Sequence, residues 1–493
     1  MGRRGLIAAP PWWVRSLPLQ HRTGTNIFQQ LYGHWLRQPP SVATLVALLE
    51  SPYPLPEAAQ PHRQHSRYSI CAGPPRVDQA GRPRLWTPAI GNILPTLAAR
   101  LSAGRTLTLR GDEAETASQI LPFTGGWLGW LGYDLAWEIE RLPTLNPDPL
   151  PFPVALWYEP ASFAVLDHQA QQLWLAAGTP AALERMAQQL ESPIGREAFL
   201  PSAPLDPAPL DFGLSQLDYR QAVLQAQQHI RVGDVFQVNL SLRFATQTTA
   251  HSWGLYRQLH RINPSPFACY WHTPWGDVIS CSPERLVQLQ GTEVQTRPIA
   301  GTRPRGTTPT QDHHYAQTLL TNAKERAEHI MLVDLERNDL GRVCQWGSVR
   351  VDELLTVEYY SHVMHLVSNV VGQLSPERTA VDLVRAVFPG GTITGCPKVR
   401  CMEIIETLEP VRRSLFYGSC GYLDRRGQLD LNILIRTLLV GHTQNSPGTD
   451  PGPTAVWGQV GAGIVADSDP DREWLESLQK AKAQLLALGL SLE

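Results

Sequence analysis

The 493-residue chain has no run of about 18 or more consecutive apolar residues, which predicts that no helix of it spans a membrane. It has no charge imbalance. Forty-two Lys and Arg face 45 Asp and Glu, a net charge of -3, so nothing electrostatic draws it to nucleic acid or an anionic membrane. Charged residues make up 18% and hydrophobic residues 43%, as in a globular protein. It has no paired cysteine motif. The seven cysteines, Cys71, Cys269, Cys281, Cys344, Cys396, Cys401 and Cys420, are odd in number and scattered, with no Cys-x-x-Cys. That pattern excludes a cysteine zinc site and a disulfide framework; buried thiols in a reducing cytoplasm are expected. The start, Met1-Gly2-Arg3-Arg4, is basic, but the apolar run after it stops at Pro10-Pro11, too soon for a signal peptide. Leu6 stands where a myristoylation signal needs Ser or Thr. No internal repeat at a solenoid period is present.

What is present begins with one composition break. Ser192–Leu210 reads SPIGREAFLPSAPLDPAPL, a linker or surface crossing. It separates an N-terminal region, 1–200, from a C-terminal region, 201–493. A second break, Thr443–Thr454, reads as a long loop within a domain. In Gly125–Pro143, glycines recur at Gly126, Gly129 and Gly132. This is not a dinucleotide fingerprint, and close packing of the backbone explains it better. Beyond the linker, Ser215–Gly233 predicts a helix with a cap at Ser215 and an apolar face of Tyr219, Val223, Ala226 and Ile230. Phe236–Phe244 alternates strictly and predicts a strand, with Gln237, Asn239, Ser241 and Arg243 on its polar face. Asp277–Ser282 and Leu429–Val440 read as strands, Tyr315–Leu335 and Arg472–Leu488 as helices. Strands and helices mix without steady βαβ alternation, which favours the α+β class.

Two of these helices carry glutamates three residues apart, Glu325 with Glu328 and Glu473 with Glu476. Residues at i and i+3 share a helix face, so each helix presents two carboxylates in one direction. If the faces meet, four oxygen ligands converge, a set suited to a hard cation such as Mg2+. Lys480 lies one turn beyond Glu476 on the same face, placed to meet an anionic substrate.

Five segments then carry a resemblance. They are RPIAGTRPRG (Arg297–Gly306), KERAEHIMLVDLERNDLGRVC (Lys324–Cys344), VMHLVS (Val363–Ser368), FPGGTITGCPKVRCMEIIETLEP (Phe388–Pro410) and GQVGAGIVADSDPDREWLESLQKAK (Gly458–Lys482). Together, and in this order, they resemble the chorismate-binding enzyme family over about residues 215–490. The first region matches more loosely, through LLES (Leu48–Ser51), SRYS (Ser66–Ser69) and GYDLAWEIERLP (Gly132–Pro143). The resemblance implies a sandwich of large antiparallel sheets flanked by helices, to which both regions contribute. It also implies a magnesium site with Glu328 and Glu476 as direct ligands and Glu325 and Glu473 acting through water. Tyr417, Arg436 and Lys480 match positions holding one chorismate carboxylate, for which an arginine fork is suited. Backbone N–H groups of a Gly461-Ala462-Gly463 turn would hold the other. Glu284 matches the general acid beside the departing ring hydroxyl. His365 and Thr392 match positions lining the ring. Leu49, Glu50, Ser51, Pro264 and Phe267 would form a tryptophan pocket, regulatory or permanently filled.

The resemblance also bears on the reaction. Family members that add water to chorismate carry a lysine base at the position of Gln237. A glutamine amide is no base near neutral pH, whereas uncharged ammonia needs no activation. Amination is therefore expected. Ala300, in PIAGT, stands where some aminating members carry a lysine that attacks the ring, so no covalent lysine intermediate is expected. Phe267, GGTITG, LFYGSCGYL and LDLNILIRT favour 4-amino-4-deoxychorismate, the precursor of p-aminobenzoate in folate synthesis, as product. PIAGT and LLES favour the alternative, anthranilate plus pyruvate in tryptophan synthesis. A remote third reading is a non-catalytic, tryptophan-binding homologue. The family takes its ammonia from a glutamine amidotransferase. The nearest cysteine elbow here, Gly418-Ser419-Cys420-Gly421, lacks the closing glycine, so a separate amidotransferase subunit is the expected partner.

Overall fold

The computed structural model describes residues 11–51, 67–103, 109–191, 209–359, 363–442 and 452–491. The linker reading up to residue 208, most of the second break, the chain start and Ser66 lie outside these residues. Two large sheets carry the architecture, one of thirteen strands and one of ten. Among the described residues strand pairing is antiparallel apart from one short parallel pair, Trp12–Pro18 with Leu109–Arg110. With twelve α-helices among the described residues, the class is α+β, a sandwich of antiparallel sheets with helices around it.

Both sheets draw strands from both ends of the chain. In the larger, Phe267–Thr273 pairs with Gly276–Ser282 on one side and with Val46–Glu50 on the other. In the smaller, Gly126–Leu131 pairs with Ser419–Asp424. The faces between the sheets bury the main core, where Trp130 of one sheet meets Trp271 of the other edge-on at 5.7 Å. A second core lies under the helices Gly24–Tyr32, Gln216–Arg231, Ser252–Ile262 and Pro470–Ala487 on the other side of the larger sheet. The spaced glycines serve close approach. A Cβ at Gly129 would lie 2.0 Å from the Leu156 carbonyl oxygen.

The helix Gln216–Arg231 starts as expected, with the Ser215 hydroxyl accepting the Asp218 amide at 3.1 Å. The alternating strand is Gln237–Thr248, and its polar face is buried too, including Gln237, Asn239 and Ser241. Phe236, just before it, is instead 69% exposed. Three expectations are corrected. Leu429–Val440 is two strands, Leu429–Asn432 in the smaller sheet and Thr437–Val440 in the larger. Tyr315–Leu335 covers two helices, Pro309–Thr321 and Ala323–Gly341, because the Asn322 side chain caps the second by accepting the Glu325 amide at 3.0 Å. Gly461, Ala462 and Gly463 form no turn. They lie within the strand Thr454–Ile464, opposite Ser241, Leu240 and Asn239.

Candidate active site

The site lies where the chain crosses between the two sheets. The first crossing, Ser282–Arg285, leads from the strand Gly276–Ser282 to the strand Arg285–Gln290. The second, Asn432–Thr437, runs back the other way. They are laced together: the Ile433 amide donates to the Glu284 carbonyl at 3.0 Å, the Ser282 hydroxyl to the Ile433 carbonyl at 2.6 Å, and the Cys281 amide to the Arg436 carbonyl at 3.2 Å. Tyr417 joins by donating its amide to the Leu434 carbonyl at 3.0 Å. Both Tyr417 and Arg436 take left-handed backbone, φ 64° and 53°. Each such residue costs on the order of 1–2 kcal/mol and persists only where its surroundings impose it. Here the imposed conformation turns a phenol and a guanidinium into the site.

Glu284 is 5% exposed. Burial raises its carboxyl to about 7, partly offset by the neighbouring Thr392 hydroxyl and Arg436. Near neutral pH a large fraction therefore carries the proton a general acid needs. Arg436 forms no ion pair among the described residues; Tyr417, Glu284 and Glu476 only partly offset the burial that lowers its pKa. A guanidinium so placed suits an incoming carboxylate. The Tyr417 hydroxyl and the Gln237 side-chain amide oxygen are buried without hydrogen-bond partners among the described residues. The Gln237 amide fills the space a Cβ at Gly463 would need, 2.4 Å away. His365 is buried on the strand Val363–Gln373, its Nδ1 3.0 Å from the Thr302 hydroxyl, and burial lowers its pKa to about 4, so the ring is neutral. Ala300 lies on the adjacent strand, opposite Leu366.

The two glutamate helices come near enough for their carboxylates to act on one another. Burial raises the Glu328 carboxyl, and repulsion from Glu473, Asp467 and Glu325 adds to it against the attraction of Lys324. Burial likewise raises Glu473, with repulsion from Glu476. Glu476 goes the other way: burial would raise it, but Lys480 at 2.8 Å, with Lys324 and Arg436, outweighs that and lowers it. Lys480 also donates to the Gly461 carbonyl at 2.9 Å, so this part of the strand offers a carbonyl to the site. Glu325 turns away to Arg303 at 2.7 Å. Mutual repulsion among partly buried carboxylates is relieved by a divalent cation, and an all-oxygen donor set fits magnesium. Glu328, Glu473 and Glu476 offer the oxygens of such a set, but their carboxylates do not stand within 4.8 Å of one another and would have to draw together around the ion, and Glu325 would first have to leave Arg303.

A separate cavity of about 470 Å3 lies between the sheets. Leu49, Glu50, Ser51 and Phe267 line it; Pro264 is not in the lining, where Pro266 stands instead. Glu50 already accepts the Thr25 amide and hydroxyl, both at 2.6 Å, and the Tyr256 hydroxyl at 2.7 Å. The polar wall comes from residues the sequence reading missed: Arg285, paired with Asp430 at 2.9 Å, and Asn432. Strand alternation was the available signal, since neighbours point to opposite faces: Glu284 turns to the site and Arg285 to the cavity.

The family model for chorismate binding enzymes matches residues 67–486, and the chain belongs to that family. It is 56% identical over 490 residues to an anthranilate synthase component I-like protein of Synechocystis, covering 99% of this chain and 94% of the relative. It is 45% identical to aminodeoxychorismate synthase component 1 of Bacillus subtilis, covering 77% and 80%. It is 42% identical to anthranilate synthase component 1 of the same Synechocystis strain, covering 79% and 83%. The crystal structure of anthranilate synthase component I from Streptococcus pneumoniae superposes with a TM-score of 0.69 at 31% identity, covering 85% of this chain and 92% of that one. No helix among the described residues is long and apolar enough to cross a membrane.

Proposed function

We propose that the chain aminates chorismate to 4-amino-4-deoxychorismate, using ammonia supplied by a separate glutamine amidotransferase subunit. The observation that carries the reading is Gln237, a buried neutral amide beside Gly463 where water-adding relatives would carry a basic lysine. In this reading Arg436, Tyr417 and Lys480 hold one substrate carboxylate. Protonated Glu284 donates to the departing ring hydroxyl, which leaves as water. A carbon–nitrogen bond forms as the carbon–oxygen bond breaks, and the proton the incoming ammonia sheds restores Glu284. Ala300 offers no nucleophile, so ammonia attacks the ring directly. Bound magnesium would supply positive charge to the substrate carboxylates from Glu328, Glu473 and Glu476.

The choice of product draws on the relatives. One Synechocystis strain carries both a component I-like protein and an anthranilate synthase component 1, and this chain is 56% identical to the first against 42% to the second. It therefore resembles a paralogue of the anthranilate enzyme more than the enzyme itself. Ala300 favours the second reading, anthranilate plus pyruvate. The test is product analysis after incubation with chorismate, magnesium and ammonium. An aminated product that keeps its enolpyruvyl group and yields p-aminobenzoate with a lyase supports the proposal. Anthranilate with free pyruvate replaces it with the second reading. Glutamine alone should give no turnover. The cavity wall of Arg285, Asp430 and Asn432 suits the charged ends of tryptophan, and calorimetry with tryptophan tests that ligand; catalysis of either kind removes the non-catalytic reading.

A further inference from the structure

We propose that His272, Asp277 and His442 form a second metal site, which takes one divalent transition ion of the zinc class. His272 and Asp277 lie on one face of the larger sheet, and His442 stands beside them just past the end of the neighbouring strand. His272 is directly opposite Asp277 in the hairpin Phe267–Thr273 with Gly276–Ser282. On its other side Asp277 is opposite Val440, the last residue of its strand, and His442, two residues beyond, brings its ring 5.7 Å from that of His272. One ligand atom from each residue lies within 4.8 Å of the other two, and among the described residues no other group of three such side chains does this.

The donors are ordered as a metal site needs. The Ser252 hydroxyl and, at 3.4 Å, the Tyr270 hydroxyl hold Asp277 Oδ2. Oδ1 is left facing both imidazoles, 2.8 Å from His272 Nδ1 and 3.7 Å from His442 Nε2. Donors around a tetrahedral ion with bonds of about 2.0–2.1 Å stand ~3.3 Å apart, so these two separations bracket the value required. Outer hydroxyls that fix a carboxylate are the usual support of such a ligand. His272 and Asp277 are buried, while the His442 side chain is 23% exposed and gives the ion its path in and a place for a water ligand. Without metal, a proton between His272 Nδ1 and Oδ1 holds the pair, and His442 Nε2 rests 2.6 Å from the Thr273 carbonyl. Binding replaces that proton and turns His442 inward.

Two imidazoles and one carboxylate favour zinc, cobalt or nickel over magnesium, the opposite preference to the all-oxygen glutamate set. The sites also lie apart. Asp277 is the second residue of the strand that ends beside Glu284, and His442 follows the strand that begins beside Arg436. At 3.3 Å per residue the two ends are roughly 20 Å apart.

The test titrates the full chain with zinc, and with cobalt as a spectroscopic probe, in excess magnesium. One equivalent should bind, with release of about one proton, a visible cobalt spectrum of low coordination number, and a higher melting temperature. His442→Ala, at the exposed side of the site, should weaken binding by at least about 100-fold, and His272→Gln should do the same with circular dichroism unchanged. Glu476→Gln should leave binding intact. No binding at millimolar zinc, or binding that survives His442→Ala, overturns the proposal. So does binding lost in Glu476→Gln, which would assign the ion to the glutamates.

Discussion

Lys480 Nζ lies 2.8 Å from Glu476 Oε1 and 2.9 Å from the Gly461 carbonyl oxygen. One cation thus fastens the last helix to the strand Thr454–Ile464 and keeps a partly buried carboxylate ionised. Lys480→Met removes both holds. The expected outcome is a rise in the KM for chorismate of roughly 10- to 100-fold, with a smaller fall in kcat. Steady-state kinetics with ammonium measures it; an unchanged KM would remove Lys480 from the substrate site.

Glu284→Gln keeps the shape of the buried side chain and removes its proton. A lost general acid typically costs roughly 100- to 10,000-fold in kcat. The fall should appear in kcat and kcat/KM together, because the acid acts in the transition state. An active Glu284→Gln enzyme would return the proton donor to another group.

The same carboxyl sets a pH dependence. Its folded pKa, about 7, is above the ordinary 4.5. Its contribution to stability is therefore complete below about 4.5 and lost as pH rises through about 7. Between about pH 5.5 and about pH 8.5 the wild type should lose about 2 kcal/mol relative to Glu284→Gln, read from urea unfolding of both. Turnover per unit of free ammonia should fall over the upper half of that range, as the acid ionises. A flat profile in both measurements contradicts the assignment.

Glu328→Gln relieves repulsion with Glu473 and Asp467. Without magnesium the variant should melt slightly above the wild type; with magnesium it should be nearly inactive and show no metal-induced stabilisation. Thermal melts with and without the ion decide this, and unchanged magnesium dependence would defeat the ligand assignment.

Gly129→Ala tests the sandwich itself. The added Cβ would lie 2.0 Å from a backbone carbonyl and 2.6 Å from the Trp157 ring. Overpacking of this kind costs about 1–3 kcal/mol or more, and urea denaturation should show it. Gly291→Ala, which meets nothing within 4 Å but has positive φ, serves as a control for backbone strain alone.

Much of this was legible along the chain. Ser215 and the spacing of Tyr219, Val223 and Ala226 locate a helix, and strict alternation places Gln237 on a polar strand face. The crossing Ile433–Arg436 was not legible. It contains no glycine or proline, its residues are as apolar as the strands around it, and contacts with Ser282 and Glu284 from far back in the chain bend it. Gly461 and Gly463 suggest a turn, yet their missing side chains make room for the Leu240 carbonyl and the Gln237 amide within a sheet. The cap at Asn322 was an available signal for the helix break. The cavity wall needs Arg285 and Asp430, partners 145 residues apart, which no local pattern joins.

The strand Thr454–Ile464 pairs with Gln237–Thr248 along eleven consecutive positions. During synthesis the earlier strand must wait, one long edge open, until about 200 further residues have left the ribosome. Glu473, Glu476 and Lys480 emerge later still. The growing chain thus stays open to wrong edge pairing until the strand Thr454–Ile464 has emerged to cover that edge.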